Sequence, residues 1–330
     1  MGDVIVFGSL MTDLVVRALR LPAPGESLLG ESLETFLGGK GCNQAIAAAR
    51  MGTRVALIGC VGEDTYGDAF LEALDREGVD RAQVTRAAGV GTGTSCVLIA
   101  SSVGQNAIIA LPRANLTRGP AEVMRALDAI LARRGKADGS DIFLAQCETD
   151  IAAVAAALAA ARHAGLRTIL NAAPIPREPL TEALPAADLL VVNETEAAAL
   201  AGMPVEALEA ARDAAEHLLA RGPREIIVTL GERGAVWSER GADGQSIVHH
   251  DVPAFPVRQV DATAAGDAFC GALAAGLARG DEMMEALRRA SAAGALAATR
   301  PGALPSLPAA HEVAALLAGR EGAGDGKSAS

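Results

Sequence analysis

The sequence predicts an α/β fold in which a mostly parallel sheet is covered by helices on both faces and carries a small β-sheet lid. Short, almost wholly apolar segments alternate with Ala-rich helical segments along most of the chain, and this order is typical of parallel sheets. Half of the 330 residues are hydrophobic and only 21% are charged, so the chain is able to bury a sizeable core. Two stretches interrupt the alternation and supply the predicted lid.

Each strand of the predicted body is a short apolar run, and the helices lie between these runs. The strands are predicted at residues 4–7, 55–59, 142–145, 168–170, 189–192 and 226–230. The helices are predicted near residues 43–51, 67–77, 121–133, 151–164, 194–201 and 205–221. Because strand–helix–strand units form right-handed parallel crossovers, the carboxyl ends of the strands share one edge of the sheet, where ligands bind.

The interrupting stretches are residues 14–37 and 91–111. The first is punctuated by Pro and Gly without a helical period, and the second has the pattern of a hairpin. We expect both to form a lid beside the strand ends, although ordinary surface hairpins are the alternative. The division predicted from this pattern is a body of residues 1–13, 38–90 and 112–320, the lid, and a disordered tail of residues 321–330.

Composition excludes several kinds of partner. Lys and Arg total 29 and Asp and Glu total 40, so the net charge is −11, which gives no general attraction for nucleic acids or anionic membranes. One Trp, one Tyr and six Phe are too few for a base-stacking surface. The five cysteines form no CxxC pair, the first residues lack the basic region of a signal peptide, and no apolar run matches a membrane span. We therefore expect a cytoplasmic protein that holds small molecules by local groups.

Residues 260–269 include several small residues and two carboxylates. They lie at the start of a predicted helix whose residues are mostly small and apolar. The helix is expected to begin near residues 264–266, and a helix N-terminus with free N–H groups binds anions. Asp267 then lies in the first turn, beside the anion. A base for an acceptor hydroxyl, next to donors for developing negative charge, suits phosphoryl transfer. The alternative is that Asp267 only complements the helix dipole.

A Gly-rich turn at residues 38–44 precedes another Ala-rich helix. Its glycines suit an anion or polyol site in which Lys40 and Asn43 supply polar groups, although a helix N-cap turn explains the pattern about as well. The spacing of its glycines and lysine differs from that of a Walker A loop. This turn is therefore a candidate sugar or phosphate site.

Polar residues also follow three predicted strands. Asn193 and Glu196 have the spacing of a capping box, and at a strand's carboxyl end they could instead orient phosphate, metal or water. Asp13 and Glu148 follow two other strands, and an ionised carboxylate can accept hydrogen bonds from vicinal sugar hydroxyls. Either carboxylate alone is more often simply solvated.

Taken together, these motifs resemble those of the ribokinase family of PfkB-type sugar kinases over residues 4–308. The segments GGKGCNQA (38–45) and DATAAGDAF (261–269) are similar to the family's two signatures. Further similar motifs lie at residues 8–13, 24–26, 104–106, 193–196 and 299–303. The resemblance implies a ribokinase-like fold with a β lid, and ATP-dependent phosphorylation of the terminal 5-hydroxyl of D-ribose.

The resemblance also implies roles for individual residues. Asp267 would be the general base, and the anion hole would consist of the backbone N–H groups of Ala264, Ala265 and Gly266. The sugar would be bound by Asp13, Gly39, Lys40, Asn43, Glu148 and Asp267. The nucleotide would be bound by Asn193, Glu196, Thr229, Gly231 and Ser291, with Glu196 near Mg²⁺. A monovalent cation, K⁺, would be held by Asp261, Thr263, Ala297, Arg300, Gly302 and Ser306. Paired lids would form a homodimer.

Two departures from the family pattern bear on the choice of sugar. Arg113 is an unexpected cation near the lid and would favour an acidic sugar, and residues 171–174 are Asn-Ala-Ala-Pro where the family usually has Asn-Pro-Ala-Pro. A kinase for a nucleoside, fructose or a keto-deoxy sugar acid is therefore the alternative within the same fold. A non-catalytic sugar or nucleotide sensor is the alternative from another class, and the intact turn around Asp267 speaks against it.

Overall fold

The computed structural model describes residues 2–102, 105–134 and 139–324. Its strands are β1 (Val4–Phe7), β2 (Met11–Ala18), β3 (Ser32–Gly38), β4 (Val55–Gly62), β5 (Asp80–Ala87), β6 (Gly93–Ala100), β7 (Gln105–Leu111), β8 (Ile142–Gln146), β9 (Arg167–Asn171), β10 (Leu189–Asn193), β11 (Glu225–Thr229), β12 (Ala235–Arg240) and β13 (Ile247–Val252). Its helices are α1 (Lys40–Arg50), α2 (Thr65–Arg76), α3 (Pro120–Arg134), α4 (Ile151–His163), α5 (Ala183–Ala186), α6 (Glu194–Ala201), α7 (Leu208–Leu219), α8 (Ala265–Arg279), α9 (Met283–Ala297) and α10 (Ala310–Gly324).

Nine strands form the large sheet in the order β13-β12-β11-β10-β9-β8-β1-β4-β5. The neighbouring pairs from β11 to β5 are parallel, whereas the pairs β11–β12 and β12–β13 at the other end are antiparallel, so that β12 runs against its neighbours. In the centre, Val4 of β1 lies opposite Val55 of β4 and Ile142 of β8. The predicted α/β class with a mostly parallel sheet is therefore confirmed.

The alternation of side chains along β1 divides the core between the two faces of the sheet. Val4 and Val6 pack with the apolar sides of α1, α8 and α9. Ile5 and Phe7 point the other way and pack with α3, α4 and α7. Because both faces are covered, these strands can be apolar at every position, which is why the sequence identifies them.

A second sheet of four strands has the order β3-β2-β6-β7. Its strands come from the two stretches that interrupt the strand–helix alternation, and β2 pairs in parallel with β6 across the gap between them. Large apolar side chains on its outer strands are exposed: Leu33 on β3 and Ile109 on β7 are 66% and 64% accessible. The small sheet thus has an apolar surface that the described part of the chain leaves uncovered.

The six predicted strands and six predicted helices are all present, with ends that differ by up to three residues. Strands β5 and β12 were not predicted, because β5 is largely polar and exposed at the edge of the sheet and β12 ends in polar residues. Helix α10 continues to Gly324, past the start of the expected tail at residue 321. Residues 325–330 of that tail lie outside the described residues, and so do Val103 and Gly104 of the expected hairpin turn. Within the described ranges, no helix is long and apolar enough to cross a membrane.

Candidate active site

Asp267 lies in the first turn of α8, and its side chain is buried between two amides of α1. Asn43 Nδ2 donates to Asp267 Oδ2 at 2.8 Å, and Gln44 Nε2 donates to Asp267 Oδ1 at 2.9 Å. Each carboxylate oxygen therefore has one fixed donor and keeps a lone pair for another hydrogen bond. The first turns of α1 and α8, distant in sequence, hold this carboxylate in one orientation.

A series of hydrogen bonds between buried side-chain amides holds Gln44 in place. Gln146 Nε2 at the end of β8 donates to Gln44 Oε1 at 2.8 Å. Gln44 Nε2 also donates to Asn171 Oδ1 at 3.0 Å, and Asn171 Nδ2 donates to the carbonyl of Val191 at 3.1 Å. The sequence analysis did not single out Gln44 and Gln146 as functional. Their positions, at a helix start and at the carboxyl end of a strand, are the signal that could have found them.

The turn before α8 presents free backbone donors. Ala264 adopts a left-handed conformation with φ 60°, which is unfavourable for a residue with a Cβ. The N–H groups of Ala264, Gly266 and Asp267 have no acceptor within the described part of the chain, whereas the Ala265 N–H donates to the carbonyl of Ala262 at 3.1 Å. Of the three predicted anion-hole donors, Ala264 and Gly266 are thus unengaged and Ala265 is engaged.

Gly266 provides a test of this turn that is independent of folding. A Cβ at Gly266 would meet no atom of the described residues within 4 Å, so Gly266→Ala should not lower the melting temperature. The methyl group would instead stand where an anion approaches the N–H groups, and we expect kcat/KM for the phosphoryl donor to fall by about 10²-fold. Gly319→Ala in α10, which also adds a methyl group in open space, is the matched control. Unchanged kinetics in Gly266→Ala would contradict an anion site at this turn.

Glu148 and Asp13 flank the Gly-rich turn at the start of α1. Glu148 Oε2 accepts hydrogen bonds from the Ser9 hydroxyl and, at 2.9 Å, from the Lys40 backbone N–H. Asp13 lies on β2 of the small sheet, where its Oδ1 accepts a hydrogen bond from the Ser95 hydroxyl. The other oxygen of each carboxylate accepts no hydrogen bond from the described residues. The sequence analysis missed Ser9 and Ser95.

Two further predicted sugar residues have geometry that suits a polar ligand. Gly39 has φ 86°, and a Cβ there would lie 2.7 Å from the backbone N of Met11, so only glycine fits. Asn43 Oδ1 is buried and has no hydrogen-bond partner among the described residues. A buried acceptor without a donor is costly, and a ligand hydroxyl would satisfy it.

The charges of the site are strongly coupled. Burial raises the pKa of Asp13 and so do the charges of Glu148 and Asp267, while the Ser95 hydrogen bond opposes them. Burial acts to lower the pKa of Lys40, but Asp267, Glu148 and Glu196 outweigh it and raise that pKa. Lys40 therefore stays protonated and partly offsets the carboxylates around it.

Three of the predicted nucleotide residues line one cavity beside the turn before α8. Thr229, Gly231 and Ser291 line a cavity of about 440 Å³ that also contains Gly266. Much of the remaining lining is aliphatic or aromatic, including Phe255. The turn before α8 thus forms part of the wall of this cavity.

Asn193 and Glu196 form the capping box that was one of the two predicted explanations for them. The Asn193 N–H donates to Glu196 Oε2 at 2.9 Å, and the Glu196 N–H donates to Asn193 Oδ1 at 2.8 Å. Burial is the main cause that raises the pKa of Glu196, and the charge of Asp267 adds to it while Lys40 opposes it. The pair is therefore a cap for α6 whose carboxylate also lies within the field of the site.

Of the residues predicted to hold K⁺, Asp261, Thr263 and Gly302 are joined by hydrogen bonds between two loops. Ala297 is the last residue of α9, and the Ser306 hydroxyl donates to the carbonyl of Ala303 at 2.7 Å. Asp261 Oδ1 accepts hydrogen bonds from Thr263, and Oδ2 accepts one from the Gly302 N–H at 3.0 Å. These hydrogen bonds lower the pKa of Asp261 although burial opposes them. The Arg300 side chain is paired with Glu312. The backbone carbonyl of Arg300 is therefore the group that would face a cation. The oxygen-rich set fits a hard monovalent cation.

No group of three or more His, Cys, Asp or Glu side chains able to hold a metal ion occurs within residues 2–102, 105–134 and 139–324. A K⁺ site built from one carboxylate and backbone carbonyls does not need such a group. Mg²⁺ likewise needs only one or two carboxylates when phosphate oxygens supply the other ligands. Glu196 is the predicted carboxylate of this kind.

Arg113 is not among the described residues that line the cavity beside Glu148. Its guanidinium is beside Gly91, and its charge acts on Asp64. A cavity of about 650 Å³ adjoins Glu148 under the small sheet, and its lining includes Asp150, Glu178 and Glu182 but no Lys or Arg among the described residues. An acidic sugar therefore has no cation to meet there.

Comparison with known proteins identifies the family. A family model with the description pfkB family carbohydrate kinase matches residues 1–324. The chain belongs to the pfkB family of carbohydrate kinases. The family expected from the motifs is thereby confirmed, and the chain is a ribokinase-type sugar kinase, a phosphotransferase with an alcohol group as acceptor.

Similar members of the pfkB family include both ribose and deoxyribose kinases. A ribokinase from Haemophilus influenzae is 34% identical over 94% of this chain and 97% of its own length. A deoxyribokinase from Salmonella typhi is 31% identical over 94% of this chain and 97% of its own length. The structure of Arabidopsis thaliana ribokinase complexed with ribose and ATP has a TM-score of 0.82 and 32% identity, covering 96% of this chain and 99% of that chain.

Proposed function

We propose that this kinase transfers the γ-phosphoryl group of ATP to the 5-hydroxyl of D-ribose. The observation that carries the proposal is Asp267, which is buried and held by two amides beside a turn with free N–H groups. The similarity to ribokinases, including one with ribose and ATP bound, supports the choice of substrates.

In the proposed reaction, Asp267 accepts the proton of the 5-hydroxyl as the oxygen attacks the γ-phosphorus. The bond between the γ-phosphorus and the β,γ-bridging oxygen breaks, and ADP leaves with its electron pair. The free N–H groups of Ala264 and Gly266 point to where negative charge develops on the transferred group. The Ala265 N–H would join them only after its hydrogen bond to the Ala262 carbonyl breaks. The protein thus contributes mainly position and electrostatic stabilisation.

The sugar would lie between the two turns, with its hydroxyls on Asp13, Glu148 and Asn43. Both carboxylates have an oxygen free to accept hydrogen bonds, and Lys40 offsets their charge. Gly39 allows the backbone to pass close to the ligand. A neutral polyol is therefore a better match than an anion for this side of the site.

ATP would occupy the cavity lined by Thr229, Gly231 and Ser291, with adenine held mainly by apolar packing. Its phosphates would reach Gly266 and the Asn193–Glu196 pair. Mg²⁺, when bound there, would neutralise charge on the β- and γ-phosphates. Glu196 has one oxygen in the cap of α6 and keeps the other available.

The decisive experiment is an assay of ADP formation with a panel of acceptors. We expect ATP consumption to depend on ribose, and ribose to give a higher kcat/KM than 2-deoxyribose, fructose or a keto-deoxy sugar acid. Equal ATP consumption without any acceptor, or none with any, would contradict the proposal and favour a sensor.

A nucleoside kinase is the second candidate, because the 650 Å³ cavity beside Glu148 is larger than ribose requires. A base attached to the sugar could extend into it. Nucleosides therefore belong in the acceptor panel, and a higher kcat/KM for adenosine than for ribose would select this alternative. The acidic lining disfavours the keto-deoxy sugar acid.

We also propose activation by K⁺ at the loops joined by Asp261. Such an ion, when bound, would add positive charge near the turn that receives the phosphoryl group. We expect turnover and melting temperature both to be higher in KCl than in NaCl or choline chloride, and Asp261→Asn to abolish the differences. Equal values in all three salts would count against the cation site.

The uncovered apolar surface of the small sheet supports the proposed homodimer. Pairing of two small sheets through β3 and β7 would bury Leu33 and Ile109, and each sheet would act as a lid over the sugar. We expect a dimer in sedimentation experiments and a monomer for Ile109→Lys. Val248→Lys on the edge strand β13, where Val248 is also exposed, is the matched control. A monomeric wild-type protein at micromolar concentration would rule this pairing out.

A further inference from the structure

A cavity of about 490 Å³ lies outside the active site, between the ends of β4 and β5 and the start of α3. Its polar lining is dominated by three arginines. The residues that matter here are Thr85, Arg86, Thr117, Arg118, Glu122 and Arg125. In a chain with a net charge of −11, this local excess of positive charge is unusual.

Arg118 is buried, with 8% of its surface exposed, yet it forms no ion pair with a described carboxylate. Its Nη1 donates to the carbonyls of Gly59 and Gln83, at 3.3 and 2.6 Å, and its Nη2 donates to the carbonyl of Glu122 at 3.3 Å. A guanidinium has five N–H donors, so two remain after these bonds. A buried cation without a counter-ion is costly, and an anion would remove that cost.

Arg125 adds a second positive charge that forms no ion pair with a described carboxylate. Arg125 lies about one turn after the start of α3 and is exposed. It has no hydrogen bond or ion pair with any described residue. Burial chiefly lowers the pKa of Arg118, and the charge of Arg125 lowers it further against the opposing effects of Cys60 and Glu122. The two guanidinium groups therefore repel each other across the cavity.

Other polar and charged groups that line this cavity already have partners. Glu122 Oε2 accepts a hydrogen bond from the Gly119 N–H at 2.9 Å at the start of α3. Arg86 is paired with Asp68 on α2. Among the described residues, the Thr85 hydroxyl donates only to the sulfur of Cys60, at 3.5 Å, which is a weak bond that a better acceptor would replace. The cavity thus offers donors and positive charge, with one carboxylate at its rim.

We propose that this cavity is a second anion site, which binds a phosphate-type oxyanion between Arg118 and Arg125. Tetrahedral oxyanions match the planar fork of arginine donors, and Thr85 would supply a neutral donor. The site lies at the base of the turn Arg113–Leu116 that joins β7 of the small sheet to α3. It is separate from the turn before α8 that would receive the phosphoryl group of ATP.

Inorganic phosphate is the probe, and backbone amide NMR shifts locate its site. With Mg²⁺ and a non-hydrolysable ATP analogue saturating the nucleotide site, phosphate titration should give saturable shifts at residues 85–87 and 117–125. Sulfate should compete for the same residues, and chloride at equal ionic strength should not shift them. Arg125→Glu should weaken phosphate binding by about tenfold or more, since it removes a charged hydrogen-bond donor.

Arg76→Gln, which alters another exposed arginine at the end of α2, is the control and should bind phosphate as the wild type does. Because Arg125 forms no hydrogen bond or ion pair with a described residue, Arg125→Glu should keep the wild-type melting temperature and ribose kinase activity. Shifts that fail to saturate, that are confined to residues 261–267, or that are the same in Arg125→Glu would overturn the proposal. The outcome is independent of which sugar the enzyme phosphorylates.

Discussion

Asp267→Asn should lower kcat by about 10²- to 10⁴-fold while nucleotide affinity stays close to that of the wild type. The substitution keeps the size of the side chain and removes its ability to accept a proton. Asn43 and Gln44 each donate to one oxygen of Asp267, so the amide of the variant would face one of these donors with its own NH₂ group. Steady-state kinetics and calorimetric titration with ADP would measure the two effects separately.

Asp128→Asn is the matched control for Asp267→Asn, because it makes the same change at an exposed position on α3. A buried donor left without an acceptor costs about 1–3 kcal/mol, so a modest fall in melting temperature is expected for Asp267→Asn alone. A turnover near that of the wild type would rule out Asp267 as the general base. Loss of ADP binding together with turnover would instead point to a disordered turn.

Asp13→Ala should lower kcat/KM for the sugar by about 10²-fold or more and leave KM for ATP nearly unchanged. If the carboxylate accepts hydrogen bonds from two hydroxyls, each bond to a charged group contributes about 1.5–3 kcal/mol. Asp13 lies on β2 of the small sheet, away from the cavity lined by Thr229 and Gly231, so an effect confined to the sugar is expected. Equal losses for sugar and ATP would contradict this assignment.

Ser95→Ala gives a pH test of the role of Asp13. The Ser95 hydrogen bond lowers the pKa of Asp13, whereas burial and the charges of Glu148 and Asp267 raise it above 3.8. Because the ionised form binds the sugar, KM should rise as the pH falls towards this raised pKa. In Ser95→Ala the pKa is expected to be higher still, so the rise should begin at a higher pH. An unchanged pH profile would show that Asp13 does not accept the sugar hydroxyls.

Much of the large sheet was predictable because its strands are buried on both faces. β1, β8 and β10 are wholly or almost wholly buried and carry apolar side chains at nearly every position. Strands at the edge face solvent and lose this signal, as in β5, where Asp80 and Arg86 are exposed. Composition therefore predicts the centre of the sheet better than its margins.

The supports of Asp267 could not be predicted because they join distant parts of the chain. Gln44 and Asp267 are 223 residues apart, and Gln146 and Gln44 are 102 residues apart. A single sequence contains no information on which polar side chains meet across such distances. It placed Asp267 in the first turn of a helix, and only the packing of α1 against α8 shows which amides hold its carboxylate.

Local patterns along the sequence specify the strand–helix order, the family signatures and the acidic net charge of −11. These properties depend on local periodicity and composition, which folding does not change. Only the folded chain shows which N–H groups before α8 lack an acceptor among the described residues, that the Arg113 guanidinium lies beside Gly91, and that Arg118 is buried without an ion pair to a described carboxylate. Each of these depends on which groups burial brings together and which partners they find there, and these are set only when the chain is folded.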